Sequence, residues 1–95
     1  MKRAARLTRE QRRTQIIAQA RHLSQTEGLY SWSLVDIAEV CMISVYGVRY
    51  HFNSIRILRA EVIQWACDNH NRNIIQQALV GGDPQAIAYE KDQQK

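Results

Sequence analysis

The stretch that most constrains the fold is residues 33–52, SLVDIAEVCMISVYGVRYHF. Its first half carries apolar side chains with the i, i+3, i+4, i+7 spacing of one helix face, at Leu34, Ile37, Ala38 and Cys41. Met42 and Ile43 interrupt that spacing, and Ser33 and Ser44 each precede a helical segment as hydroxyl caps. The pattern predicts two short helices joined by a tight turn.

The second helix of this pair has two faces of different chemistry. Val48 and Phe52 are four residues apart on the inward face, whereas the outward face carries Tyr46, Arg49 and His51. A helix held by its apolar side, with aromatic and cationic groups facing out, fits the geometry of a helix-turn-helix that reads DNA. A plain helical hairpin with a solvated polar face is the alternative that this local pattern leaves open.

Positive charge is concentrated in the first part of the chain. Among 95 residues with a net charge of +4, residues 1–59 hold ten Lys or Arg against four Asp or Glu. The remaining residues hold three cations against five acids. A positive first part beside a weakly acidic second part indicates a polyanion-binding module followed by a segment with another role.

Composition predicts an all-α protein with one small core. There is one Pro and there are four Gly, and no run of β-branched residues alternates with period two. Cys41 and Cys67 each lie on an apolar stripe, so both are predicted to be buried thiols. Together with three scattered His they give no metal-ligand spacing, so no metal and no cofactor are expected.

Several classes of function are disfavoured by what the sequence lacks. No apolar run has membrane-spanning length, and Met1-Lys2-Arg3 precedes no apolar signal core, so we expect a cytoplasmic protein without a membrane partner. The chain has no paired carboxylates, no nucleophile with a base at usable spacing and no phosphate-cradling Gly loop. We therefore expect no catalytic residues and no enzyme activity.

Four segments are predicted along the chain. Residues 1–8 are a flexible basic arm, and residues 9–53 are a helix-turn-helix DNA-binding domain. Residues 54–80 are a fourth helix with an oligomerisation segment, and residues 81–95 are a short C-terminal tail. In the arm, Lys2, Arg3 and Arg6 are predicted to lie along phosphates or to enter a minor groove. A solvated tail without a function is the alternative.

Capping residues set the predicted starts of the longer helices. Thr8 with Gln11 matches a capping box for a first helix over residues 9–27, which Gly28 is placed to end in the left-handed conformation. Ser54 is predicted to cap the fourth helix.

The second part of the chain contains its own breakers. Residues 68–73 are polar and Asn-rich, so the fourth helix is predicted to kink or stop there. Residues 81–82 are two glycines and form a firm stop. Asp83-Pro84 can then start a short helix, and residues 91–95 are predicted to fray.

Apolar residues outside the first stripe of the fourth helix predict a second buried face. These residues are Ile63, Cys67, Ile74, Ile75, Ala78 and Leu79. Left exposed, they would form an apolar patch unusual for a monomer, so they are predicted to join a homodimer through residues 60–80. The alternative is that this segment folds back and covers its own domain.

From about Arg12 to Ala66 the sequence resembles the TetR family of bacterial transcription repressors. The residues that carry the resemblance are RRTQIIAQARHLSQTEGLYSWSLVDIAEVCMISVYGVRYHFNSIRIL. The motifs are EGLY at residues 27–30, Ser33 before DIA at residues 36–38, and YHF at residues 50–52. The resemblance implies a three-helix helix-turn-helix domain, similar to a homeodomain, followed by a longer fourth helix.

The resemblance also implies which residues contact DNA. The recognition helix would be residues 44–51, with five residues on DNA-facing positions: Val45, Tyr46, Gly47, Arg49 and His51. Ser33 falls where the family contacts a phosphate. Further contacts are expected from Ser44 and Ser54 at the starts of helices and from Tyr50 at the end of the recognition helix. Arg56 is expected to add a flanking cation.

The chain departs from the family in four respects. Met42 stands at the turn position usually held by Gly, Val45 replaces a cation, and Ile55 replaces the Lys that opens the fourth helix. Only about thirty residues follow the region of resemblance, so we expect no room for the family's inducer pocket and no small-molecule inducer.

The function expected from these features is sequence-specific binding to double-stranded DNA by a small transcription regulator, of a kind suited to a phage, plasmid or other mobile element. Two alternatives stay open. One is a DNA-recognition subunit of a nucleoprotein machine, such as a terminase small subunit or a replication or partition accessory. The other is a protein-binding antagonist that uses the second apolar face and does not contact DNA.

Overall fold

The structure is a computed structural model that describes residues 6–94. These residues form six α-helices: α1 Arg9–Thr26, α2 Leu34–Cys41, α3 Val45–His51, α4 Ile55–Asp68, α5 Arg72–Val80 and α6 Pro84–Gln93. The predicted all-α class is confirmed. Within the same residues, no helix is both long and apolar enough to cross a membrane.

Each of these six helices begins at a residue whose side chain accepts a backbone hydrogen bond from the first turn. The capping residues are Thr8, Ser33, Ser44, Ser54, Asn71 and Asp83. At α1 the cap is reciprocal: the amide of Gln11 donates to Thr8 Oγ1 at 3.1 Å, and the amide of Thr8 donates to Gln11 Oε1 at 2.9 Å. The predicted starts of α1 to α4 and α6 are therefore correct.

The turn between α2 and α3 contains a non-glycine residue, Met42, in the left-handed conformation. Met42 has φ 58° and ψ 42°, and its side chain is 90% exposed. Its amide donates to Glu39 O at 3.1 Å, and the amide of Ile43 donates to Ala38 O at 3.0 Å. These bonds close the C-terminal end of α2, so the strained conformation is imposed by the cap.

Replacing Met42 with Gly is expected to stabilise the protein by about 0.5–1 kcal/mol. Relief of a left-handed conformation is worth about 1–2 kcal/mol for an L-residue, and the flexibility of Gly in the unfolded chain offsets about 0.5–1 kcal/mol of it. Urea denaturation measures the change. Met42→Ala is the matched control, because it shortens the side chain and keeps the strain; an equal gain in both variants would contradict the backbone explanation.

The core is formed by the inward stripes of the helices and sealed by the loop after α1. Val48 and Phe52, predicted as the inward pair of α3, are both buried. In the loop, Trp32 is buried and its Nε1 donates to Ser24 Oγ at 2.8 Å. The guanidinium of Arg59 on α4 lies 5.6 Å from the centre of the Trp32 ring. Trp32 therefore joins α1 and α4.

The last two helices pack onto the rest of the chain, which corrects the predicted oligomerisation face. α5 and α6 both contact α4, and α5 also contacts α1. The residues assigned to that face are all buried or half-buried within one chain: Ile63, Cys67, Ile74, Ile75, Ala78 and Leu79. The alternative, a segment that folds back on its own domain, describes these residues correctly. A homodimer stays a prediction, and it would need another surface.

The predicted break after α4 is correct, and a helix starts after Asp83, as predicted. α4 stops at Asp68, and α5 starts anew after the Asn71 cap. α6 continues to Gln93, because Ala86 is buried in the core and Arg72 of α5 pairs with Glu90 at 3.1 Å. Residues 81–93 are therefore part of the packed structure rather than a tail.

Candidate nucleic-acid interface

The outward face of α3 exposes large side chains next to a cation. Tyr46 is 86% exposed, and Arg49 and Tyr50 are also exposed. Val45 is half-buried against the core, so only part of it is available to a ligand. Among residues 6–94, no hydrogen bond or ion pair holds the guanidinium of Arg49. Its five N–H donors are free for a partner outside the chain.

The start of α1 lies beside α3 and adds cations to this face. Arg9 donates a hydrogen bond to the hydroxyl of Tyr50, and its guanidinium carbon lies 5.2 Å from the centre of that ring. A groove of about 320 Å³ separates the two helices, and Leu7, Arg12 and His51 are among its lining residues. The candidate interface therefore includes the first turns of α1 as well as α3.

Arg13 differs from Arg9 and Arg12, which hydrogen-bond to Tyr50 and Gln15, because its guanidinium forms an ion pair with an acid of α4. Its Nη2 lies 3.2 Å from Glu61 Oε1, and its Nη1 donates to the carbonyl of His51 at 3.4 Å. Its guanidinium also covers the ring of Phe52 at 4.4 Å. Arg13 thus positions the end of α3 against α4 and is not a free cation.

His51, which lines the groove between α1 and α3, has a neutral imidazole at pH 7. Burial lowers the pKa of His51 below its usual value, and the charges of Arg13, Arg9 and Arg12 lower it further. A second proton would be repelled by these three guanidinium groups. At pH 7 the ring therefore has one N–H donor and one acceptor nitrogen to offer a ligand.

Two small residues of α3 serve the helix itself. Ser44 Oγ accepts from the amide of Gly47 at 3.1 Å and so caps α3. A Cβ at Gly47 would lie 3.3 Å from Ile43 Cδ1, so this position is packed against the turn. The predicted DNA contact of Gly47 could only be made by its backbone or Cα.

The other residues predicted to contact DNA are not part of α3. The side chains of Ser33 and Ser54 accept backbone hydrogen bonds as caps of α2 and α4. Arg56 lines a separate groove with Tyr30 and Arg59. Arg6 is exposed ahead of α1. The other two arm residues of the prediction, Lys2 and Arg3, lie outside the described residues.

Arg9 and Arg12 are residues of the candidate interface that the sequence does not single out. In the sequence they are two of the ten cations of residues 1–59, and no motif distinguishes them from the others. Their spacing of three residues puts both on one face of α1, which was the available signal. The partner of Arg9, Tyr50, is 41 residues away in sequence, so the contact itself could not be read from local pattern.

Buried thiols and scattered acids give no evidence for a metal or redox site in the part of the chain that the structure describes. Burial raises the pKa of the Cys41 thiol, and the charge of Arg12 offsets part of that rise. Burial also raises the pKa of Cys67. Among residues 6–94, no three His, Cys, Asp or Glu side chains form a group that could hold a metal ion.

No protein-family model, no curated protein and no solved structure matches this chain. The resemblance to the TetR family therefore depends on the motifs quoted above, and the site is interpreted from its own geometry and charge.

Proposed function

We propose that the protein binds double-stranded DNA with sequence preference, as a small transcription regulator with a TetR-like helix-turn-helix. In this proposal α2 and α3 are the helix pair, and α3 enters the major groove. Arg9, Arg12 and the basic residues before α1 contact phosphates beside it. α4, α5 and α6 complete the core that holds the helix pair.

The observation that carries the proposal is a combination of two side chains on a short helix flanked by cations: Arg49, which has no hydrogen-bond or ion-pair partner among residues 6–94, and the exposed Tyr46. An exposed helix face that served only solubility would carry small polar groups or mixed charges. α3 carries no acid, so its charge is available to a polyanion. Arginine is also the side chain that most often makes a specific major-groove contact.

Selection of bound sequences from a random double-stranded DNA pool tests the proposal. We expect enrichment of one motif, with binding that weakens steeply as salt is raised. The mass of the complex then separates the two nucleic-acid hypotheses: a dimer on a palindrome favours the regulator, and a higher oligomer on direct repeats favours a nucleoprotein machine. Binding that is absent at low salt would reject both and favour a protein-binding antagonist.

Arg49→Ala is expected to cost about 1–3 kcal/mol of binding free energy at the selected site and to relax preference at one base position. The reason is that Arg49 is unpaired within the described residues and exposed on α3. Fluorescence anisotropy with selected and scrambled duplexes measures both effects. Arg21→Ala is the control, because Arg21 covers the Trp65 ring at 4.1 Å on another part of the surface. An equal loss on both duplexes would make Arg49 a phosphate contact.

Arg9→Gln combined with Arg12→Gln is expected to weaken binding to every duplex and to flatten the slope of log affinity against log salt. The slope should fall by about 0.9 for each phosphate contact removed. Titrations at four or more salt concentrations measure it. Arg72→Gln serves as the control, because it removes a cation of α5 that pairs with Glu90 of α6. A slope that changes as much in the control would show a net-charge effect without a local contact.

A further inference from the structure

The outward face of α3 contains a shallow depression with mixed chemistry. Val45, Tyr46 and Arg49 line it, and its volume is about 250 Å³. Val45 contributes a partly exposed methyl surface, and Tyr46 contributes an aromatic ring that is almost entirely exposed. Arg49 contributes both an aliphatic stem and a free guanidinium. The depression therefore offers apolar contact and hydrogen-bond donors to one ligand at the same time.

The absence of certain side chains from α3 limits which DNA bases this helix can recognise. The helix, VYGVRYH, contains no Asn, Gln, Asp or Glu. Adenine is read in the major groove by a carboxamide that bonds N6 and N7, and cytosine by a carboxylate that accepts from N4. Neither group is available on this helix. Arginine reads guanine through O6 and N7, so guanine is the base that the polar part of the depression fits.

The apolar part of the depression fits a methyl group on the neighbouring base. Successive bases on one strand are about 3.4 Å apart, so a guanidinium on guanine brings the stem of the same arginine over the adjacent base. The only apolar group on a base edge in the major groove is the C5 methyl of a pyrimidine, which is native to thymine. 5-Methylcytosine presents the same group at the same position.

We propose that Val45, Tyr46 and Arg49 together recognise a 5-methylpyrimidine next to a guanine. The inference rests on the proposed function and adds the chemical identity of the two neighbouring bases that α3 contacts. Arg49 donates to guanine O6 and N7, while Val45 and Tyr46 contact the methyl group. The two natural sources of the methyl group are thymine and 5-methylcytosine.

Atomic substitution in the selected duplex tests the methyl contact. Replacing the thymine next to the guanine with uracil removes one methyl group, and the affinity should fall about four-fold, the equivalent of one buried carbon. Uracil at a thymine outside the motif is the duplex control. In the variants Val45→Ala and Tyr46→Ala the uracil penalty should shrink or vanish, whereas in Arg9→Gln it should persist.

Replacing the guanine with 7-deazaguanine tests the second half of the proposal. Loss of N7 should weaken binding by wild type several-fold and leave binding by Arg49→Ala unchanged. A third duplex carries cytosine or 5-methylcytosine in place of the thymine. Tighter binding to 5-methylcytosine than to cytosine shows that the methyl group is sufficient; equal binding to both assigns the contact to thymine.

The outcomes separate this inference from the function on which it rests. If selection enriches a motif but uracil binds as tightly as thymine throughout, the methyl contact is wrong and DNA recognition still holds. If the uracil penalty is the same in wild type and in Tyr46→Ala and Val45→Ala, another part of the protein reads the methyl group. If no duplex binds or no motif is enriched, both proposals are wrong.

Discussion

The Ile74→Asp variant is expected to lose its folded structure rather than to dissociate into monomers. Ile74 is fully buried where α5 packs on the body of the protein. The substitution removes an apolar side chain and places a carboxylate among apolar atoms without a partner. Together these terms exceed about 4 kcal/mol, a large part of the roughly 5–15 kcal/mol that stabilises a small domain.

Val80→Asp is the matched control for this prediction, because Val80 is in the same helix and is 89% exposed. Its stability should change by less than about 0.5 kcal/mol. Circular dichroism during urea denaturation measures both variants, and light scattering reports their mass. An Ile74→Asp protein that keeps the wild-type midpoint and only halves its mass would restore the original oligomerisation face.

Trp32→Ala is expected to destabilise the protein by about 3–5 kcal/mol, the usual cost of removing a buried aromatic side chain. The substitution opens a cavity at the junction of α1 and α4. It also removes the donor that bonds Ser24 Oγ, an atom buried beside Ala20 O. The cation–π contact with Arg59 is lost as well.

Trp65→Ala provides the comparison, because Trp65 is only half-buried at the edge of the core, with Arg21 lying over its ring. Its loss should cost clearly less than that of Trp32. Urea denaturation followed by circular dichroism measures both variants without depending on tryptophan fluorescence. Equal losses would mean that the loop after α1 does not seal the core.

The sequence predicted the local features of this fold well because each has a local cause. The caps at Thr8, Ser33 and Ser54 and the break before Asn71 all depend on residues within four positions of one another. Short-range hydrogen bonds of this kind leave a pattern of residue types that can be read directly.

The surface against which an apolar helix face packs could not be predicted in the same way. Ile63 and Ile74 carry the pattern of a buried face, and the pattern is identical whether the face meets a second chain or the same chain. The structure decides for the same chain, since α5 and α6 cover α4. Likewise, the contact between Arg9 and Tyr50 joins distant residues, so it follows from the packing of α1 on α3 and from nothing local.

The contacts of Arg13 have a consequence for how α3 could meet a ligand. A helix of seven residues is too short to be stable by itself, so its orientation depends on what holds its ends. Arg13 holds the carbonyl of His51 and the ring of Phe52 and is itself fixed by Glu61. The conformational entropy of orienting α3 is therefore lost during folding. Less entropy is then lost when this preorganised surface binds a ligand. Under the proposed function, selectivity would then depend on how easily the DNA deforms to fit a helix of fixed orientation.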